Sequence, residues 1–119
     1  MNFTISDEEI DDVTHVIRLG GEVDLYTAPE FKERMVELIE GGKKKIVVDL
    51  SEATFIDSTT LGVLVGGVKR LRPTGGSLAL VCTDQNITKI FEITGLDRVF
   101  PIHGSRDEAL QAVASGDGE

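Results

Sequence analysis

The segment from Ile46 to Cys82 constrains the fold of this chain more than any other. Ile46-Val47-Val48-Asp49-Leu50 is apolar without alternation, apart from Asp49, and Ser77-Leu78-Ala79-Leu80-Val81-Cys82 is a second such run. A strand covered on both faces needs this pattern, because neither row of its side chains meets water. Between the two runs, Leu61, Leu64, Val65, Val68 and Leu71 recur at helical spacing, which predicts a helix from about Ser58 to Arg72. Strand, helix and strand in this order imply a right-handed crossover between parallel strands. Functional loops in such sheets lie beyond the carboxyl ends of the parallel strands. The segment from Ser51 to Asp57 is expected to be one of these loops.

The remaining elements follow from local signals. Phe3 and Ile5 suggest a short edge strand, Asp7 to Asp12 an acidic turn, and His15 to Leu19 a second strand that Val23 extends. Thr27-Ala28-Pro29-Glu30 reads as a capping box with Thr27 as N-cap. The helix after it carries Ala28, Phe31, Met35, Leu38 and Ile39 on one stripe and stops at Gly41-Gly42. Lys43-Lys44-Lys45 reads as a solvated turn. Asp84 caps a third helix with Ile87, Ile90 and Phe91 inward, ended by Gly95. Val99 to Ile102 is expected to be a short strand, at an edge because of Pro101. Ser105 to Glu108 forms a further capping box and opens a last helix with Ala109, Leu110 and Val113 inward. The predicted order is β-β-α-β-α-β-α-β-α, an α/β fold with a small mixed sheet and about four helices. Residues 1–114 form one domain in this reading, and residues 115–119 a flexible tail. Gly62, Gly66 and Gly67 are unusual inside a helix, where each costs about 1 kcal/mol relative to alanine, and so call for a packing reason.

Composition excludes several functions. With a net charge of −9, the chain would repel a polyanion, so direct nucleic-acid binding is not expected. The longest apolar stretch, Leu61 to Val68, is far shorter than the roughly 20 residues of a membrane span. The N-terminus has neither the basic nor the apolar segment of a signal peptide, and there is one cysteine, Cys82, so a reducing cytoplasm is the expected compartment. Cys82 closes an apolar strand and reads as a buried thiol. His15 and His103 lack ligand-spaced neighbours, so no metal is expected. No Gly-x-Ser-x-Gly elbow surrounds Ser58, and no Gly-Lys-Ser/Thr follows Gly75-Gly76, so neither a hydrolase triad nor a phosphate loop is indicated.

The one stretch with chemistry to offer is Phe55-Ile56-Asp57-Ser58-Thr59-Thr60-Leu61-Gly62. It sets a serine hydroxyl at the start of a helix, where backbone N–H groups lack partners and the dipole favours negative charge. A phosphate on Ser58 would be well placed there. Asp57 reads either as a plain N-cap or as a residue that orients the hydroxyl or a partner. Asp24 reads either as a turn residue or as part of a docking face at the same end of the sheet.

Three blocks in order make the chain resemble the STAS-domain family, and within it the bacterial anti-sigma factor antagonists. They are Leu19-Gly20-Gly21-Glu22-Val23-Asp24-Leu25-Tyr26-Thr27-Ala28, then Val47 to Leu50 with Phe55 to Gly62, then Phe91-Glu92-Ile93-Thr94-Gly95-Leu96 with Val99-Phe100. The resemblance runs from about residue 3 to residue 112. It implies a partner that is both an anti-sigma factor and a serine kinase, bound when the chain is unphosphorylated and released on phosphorylation of Ser58. It also implies a serine phosphatase that resets the switch. ATP and Mg²⁺ would belong to the partner, so no cofactor is expected in this chain. Asp24, Asp57, Ser58, Thr59 and Thr60 are the expected partner-binding residues. Many relatives carry glycine where this chain has Thr60, which adds bulk and a hydroxyl to the expected docking face and makes Thr59 and Thr60 candidate secondary acceptors.

Two other classes compete. A scaffold or transporter-associated subunit would keep the fold within a larger assembly. The other is a nucleotide-binding or hydrolysing enzyme, or an aspartate-phosphorylated receiver; a receiver would need an acidic cluster at the strand end and a later strand-end lysine, but Asp49 lies within its strand and no lysine ends Ser77–Cys82.

Overall fold

Crossover handedness decides the architecture. The computed structural model describes residues 2–115, so the expected tail lies outside the described residues beyond Ser115. The elements are β1 (Phe3–Glu9), β2 (Thr14–Val23), α1 (Ala28–Glu40), β3 (Lys45–Ile56), α2 (Ser58–Leu71), β4 (Ser77–Val81), α3 (Gln85–Thr94), β5 (Ile102–His103) and α4 (Arg106–Ala114). They form an α/β fold on one five-stranded sheet whose spatial order is the sequence order. The pair β1/β2 is antiparallel, and β2/β3, β3/β4 and β4/β5 are parallel. Three successive crossovers of one hand, stepping in one direction across a sheet, put their helices on one face.

The packing agrees. Phe31 and Met35 of α1, Leu64, Val68 and Leu71 of α2, and Ile87 and Phe91 of α3 share one core with Ile17, Leu19, Ile46, Val48, Leu50, Leu78 and Leu80. Only α4, which follows the last strand, is free to take the opposite face. There Ala109 and Val113 pack on Val16, Val47, Ala79 and Val81. This double cover is why β3 and β4 lack polar alternation.

Four local expectations need correction. The acidic segment from Asp7 is not all turn: Asp7 to Glu9 continue β1, paired through Glu9 opposite His15. Their charges are met by other elements. The Asp7 carboxylate binds His15 Nε2 at 2.8 Å and the Arg34 guanidinium, Glu8 pairs with Arg106 at 2.7 Å, and Glu9 with Lys43 at 3.2 Å. Ser51 to Ile56 is strand rather than loop, because β3 runs on past the end of β4 and pairs with Gly20 to Val23 of β2. The strand expected over Val99 to Ile102 is reduced to Ile102–His103, since Leu96 to Arg98 coil into a 3₁₀ turn and Phe100 is fully buried against Phe91. Finally, Thr27 makes no side-chain cap to α1. Its hydroxyl accepts instead from the Asp24 amide at 2.9 Å.

Of the α2 glycines, only Gly67 has the expected close packing. A Cβ there would lie 3.2 Å from Met35 Sδ and 3.3 Å from Leu78 Cδ1, whereas one on Gly62 would meet nothing within 4 Å.

Candidate functional site

The overhanging end of β3 carries the chain into α2 beside the end of β2. Irregularities between Arg18 and Gly20, and between Gly21 and Glu22, bend β2 just before this point. Gly21 holds φ +77°, and a Cβ on it would come within 1.8 Å of the Asn2 carbonyl oxygen, so this bend requires glycine. The result brings Val23 and the turn after it against the first turn of α2.

Asp57 is the N-cap of α2, with extended backbone (φ −130°, ψ −172°). Its carboxylate accepts from the amides of Thr59 at 3.0 Å and Thr60 at 3.4 Å, and from the Thr59 hydroxyl. These bonds favour the charged form. The Thr59 hydroxyl foremost, with lesser help from the Thr60, Thr59 and Leu25 amides, holds the carboxyl below the usual aspartate range against the opposing effect of burial. The influence of the Leu25 amide on this carboxylate puts the β2–α1 turn beside the start of α2. A direct tie runs from the Thr60 hydroxyl to the Val23 carbonyl oxygen at 2.8 Å.

Thr60 is therefore a correction. The sequence sets it on the docking face as a second hydroxyl, but it is 0% exposed and its proton is committed to Val23. The α2 stripe turns this position inward, since Thr60, Leu64, Gly67, Val68 and Leu71 lie on one buried face. Thr59 is exposed, but its hydroxyl is engaged by Asp57. Ser58, the first residue of α2, is exposed, and its side chain has no hydrogen-bond partner among the described residues. One free hydroxyl thus stands at the positive end of a helix of 14 residues.

Asp24 comes to the same end of the sheet. Its carboxylate accepts from the amides of Tyr26 at 2.9 Å and Thr27 at 3.2 Å, closing an Asx turn. The residues on either side of the site supply what the sequence reading missed. Leu25 is 56% exposed, Tyr26 76% and Phe55 49%. Glu22, opposite Phe55, carries the register across from β2 to β3. Leu25 and Tyr26 follow the end of β2, and Phe55 lies near the end of β3, so these exposed large apolar residues stand at the end of the sheet that carries Asp24 and Ser58. Their signal in the sequence was Leu25-Tyr26, an apolar pair inside a turn that no helical stripe absorbs. No group of His, Cys, Asp and Glu among the described residues is arranged to hold a metal ion, and no helix among them is long and apolar enough to cross a membrane.

The family profile described as STAS domain matches residues 4–109. The chain belongs to the STAS domain family. Among similar STAS proteins, the anti-sigma-B factor antagonist of Bacillus subtilis is 35% identical over 95 residues, 80% of this chain and 86% of that protein. The crystal structure of an anti-sigma factor antagonist from Mycobacterium paratuberculosis shares 28% identity at a TM-score of 0.86, covering 95% of both chains. The Bacillus cell fate determinant SpoIIAA in its phosphorylated form shares the STAS fold at a TM-score of 0.74 and 24% identity, over 92% of this chain and 99% of that one.

Proposed function

We propose that this protein is an anti-sigma factor antagonist whose binding is switched at Ser58. Unphosphorylated, it binds an anti-sigma factor that is also a serine kinase and so frees the sigma factor for transcription. Phosphorylation of Ser58 by that partner ends the complex, and a serine phosphatase restores it. The chain acts by binding, with ATP and Mg²⁺ held by the kinase.

The observation that carries this reading is the unequal state of three successive hydroxyls. Thr60 is buried and Thr59 is held by Asp57, while Ser58 is exposed and unbonded. A kinase must reach a hydroxyl and take its proton, and only Ser58 offers both. A phosphoserine carries about −1.5 to −2 charge at neutral pH. On Ser58 it would stand next to the Asp57 carboxylate, in a chain of net charge −9. Like charge added at a docking face weakens a partner that must accommodate it, while the positive end of the α2 dipole favours the added charge without unfolding the domain. That the fold accommodates a phosphorylated state is supported by the SpoIIAA neighbour, described in that form.

The test is to incubate the protein with Mg-ATP and extract of its native host and map phosphate by mass spectrometry. A single phosphate on Ser58, absent from Ser58→Ala, is expected. Ser58→Ala should then hold the purified anti-sigma factor like the unmodified protein, and Ser58→Asp should bind on the order of tenfold or more weakly, about 1.4 kcal/mol or more. Equal binding by both variants would refute the switch.

A further inference from the structure

An open groove of about 590 Å³ runs between α1 and α2 and begins beside Ser58, with Leu25 and Thr59 at that end. Its lining is apolar along Ala28, Met35, Val36 and Val63, and it contains no carboxylate. Two cations, Lys32 and Arg70, stand on its walls, and neither has an ion-pair partner among the described residues. Gly62 and Gly66 form the α2 side. A Cβ on Gly62 would enter open space, and one on Gly66 would meet only the mobile end of Arg70 at 3.3 Å. The packing of this chain therefore does not require either glycine, yet each weakens the helix. Glycines one turn apart bare the backbone of one helix to the close approach of another. The lining stretch of α2, from Thr59 to Arg70, spans about 16 Å at 1.5 Å per residue, or three helical turns.

We propose that this groove receives an amphipathic helix of the anti-sigma factor, with its apolar face against Val36 and Val63 and acidic residues against Lys32 and Arg70. The inference rests on the function proposed above and names the part of the partner that the surface fits. Two observations select this occupant. The first is charge: on a chain of net charge −9 an acidic helix is repelled almost everywhere, and this groove offers two unpaired cations and no carboxylate. The second is continuity: Leu25 and Thr59 belong both to the groove and to the surface around Ser58, so one partner covers both. The arrangement also gives the switch its leverage, because a phosphate on Ser58 sets negative charge at the mouth through which an acidic helix would lie.

The decisive variants are Gly62→Leu and Gly66→Leu, since leucine is a strong helix former and the folded protein should melt at or above the wild-type temperature. Binding of the host's purified anti-sigma factor, measured by calorimetry, should fall on the order of tenfold or more for each. Lys32→Glu with Arg70→Glu should also weaken it, with loss of its salt dependence at low ionic strength. Hydrogen exchange of the wild-type protein supplies a readout free of any variant. Added partner should slow exchange over residues 28–36 and 62–70 as well as over 24–27 and 55–59. Wild-type binding with Gly62→Leu unaffected, or protection confined to 24–27 and 55–59, would overturn the groove and leave the Ser58 switch standing. Failure of the unphosphorylated wild type to bind would overturn both. Oleate binding, or dimerisation with concentration, lost in Gly62→Leu while anti-sigma binding persists would reassign the groove to a fatty acid or to a second copy of the chain.

Discussion

Ser58, Thr59 and Thr60 carry nearly the same functional group within one helical turn, and their surroundings separate them. The Thr60 hydroxyl is a structural tie, so Thr60→Val should leave the buried Val23 carbonyl without its donor. We expect a loss of about 1–2 kcal/mol in urea unfolding, with the Ser58 phosphorylation rate unchanged. Asp57 has a pH signature of known sign. Its folded-state carboxyl lies below the usual aspartate value, held there chiefly by the Thr59 hydroxyl. It therefore adds stability above the ordinary aspartate pKa of about 4, and that contribution fades as the pH falls through the depressed value. Asparagine caps a helix as well as aspartate, so Asp57→Asn should trail the wild type at pH 7, and the gap should narrow as the pH falls from 7 towards 3. A gap that stayed constant between the two pH values would contradict the assignment.

At the level of the element, what matters is where strands stop and bend. β3 outruns β4, and its unpaired side past Asp49 leaves the turn into α2 open to a partner. β2 bends at Gly20-Gly21, and that bend delivers Val23 to Thr60 and Leu25 to Asp57. Gly21→Val should cost about 2 kcal/mol or more by thermal or urea unfolding, because a β-branched residue is forced into the left-handed region and against the Asn2 carbonyl. The same change should loosen the surface around Ser58, read as faster hydrogen exchange at residues 23–27. α1 begins without the capping hydroxyl its sequence advertises. Thr27 is drawn off by the Asp24 amide, and the Asp24 carbonyl accepts the Ala28 amide at 2.7 Å instead.

For the whole molecule, the switch proposed at Ser58 would have to change a surface without changing the fold. The site stands at one end of a sheet whose core lies on both sides of β3 and β4, and Ser58 contributes nothing to either side. Ser58→Asp should therefore leave the far-ultraviolet circular dichroism unchanged and alter stability by less than about 1 kcal/mol, with the helix terminus favouring the added charge. A large loss of stability would mean that charge at this position acts by unfolding the first turn of α2. Most of this architecture was legible in the sequence. The unalternating runs at Ile46–Leu50 and Ser77–Cys82, the stripes of the helices and the caps at Asp57, Asp84 and Ser105 are local signals, and each of those caps accepts the expected amide.

By itself the sequence determined the order of elements, the parallel crossovers and the position of the serine proposed as the phosphoacceptor at the start of α2. These follow from periodicity and from cap chemistry, which act over a few residues and are written in them. Tertiary structure decided the rest. Ser51 to Ile56 became strand because β2 lay alongside to pair with it. Of three neighbouring hydroxyls only one stayed free, because Thr60 met Val23, a residue 37 positions away. Gly62 and Gly66 came to line a groove whose other wall is α1. Pairing, burial and cavities depend on which segments meet across long stretches of chain, and no local pattern of residues specifies that.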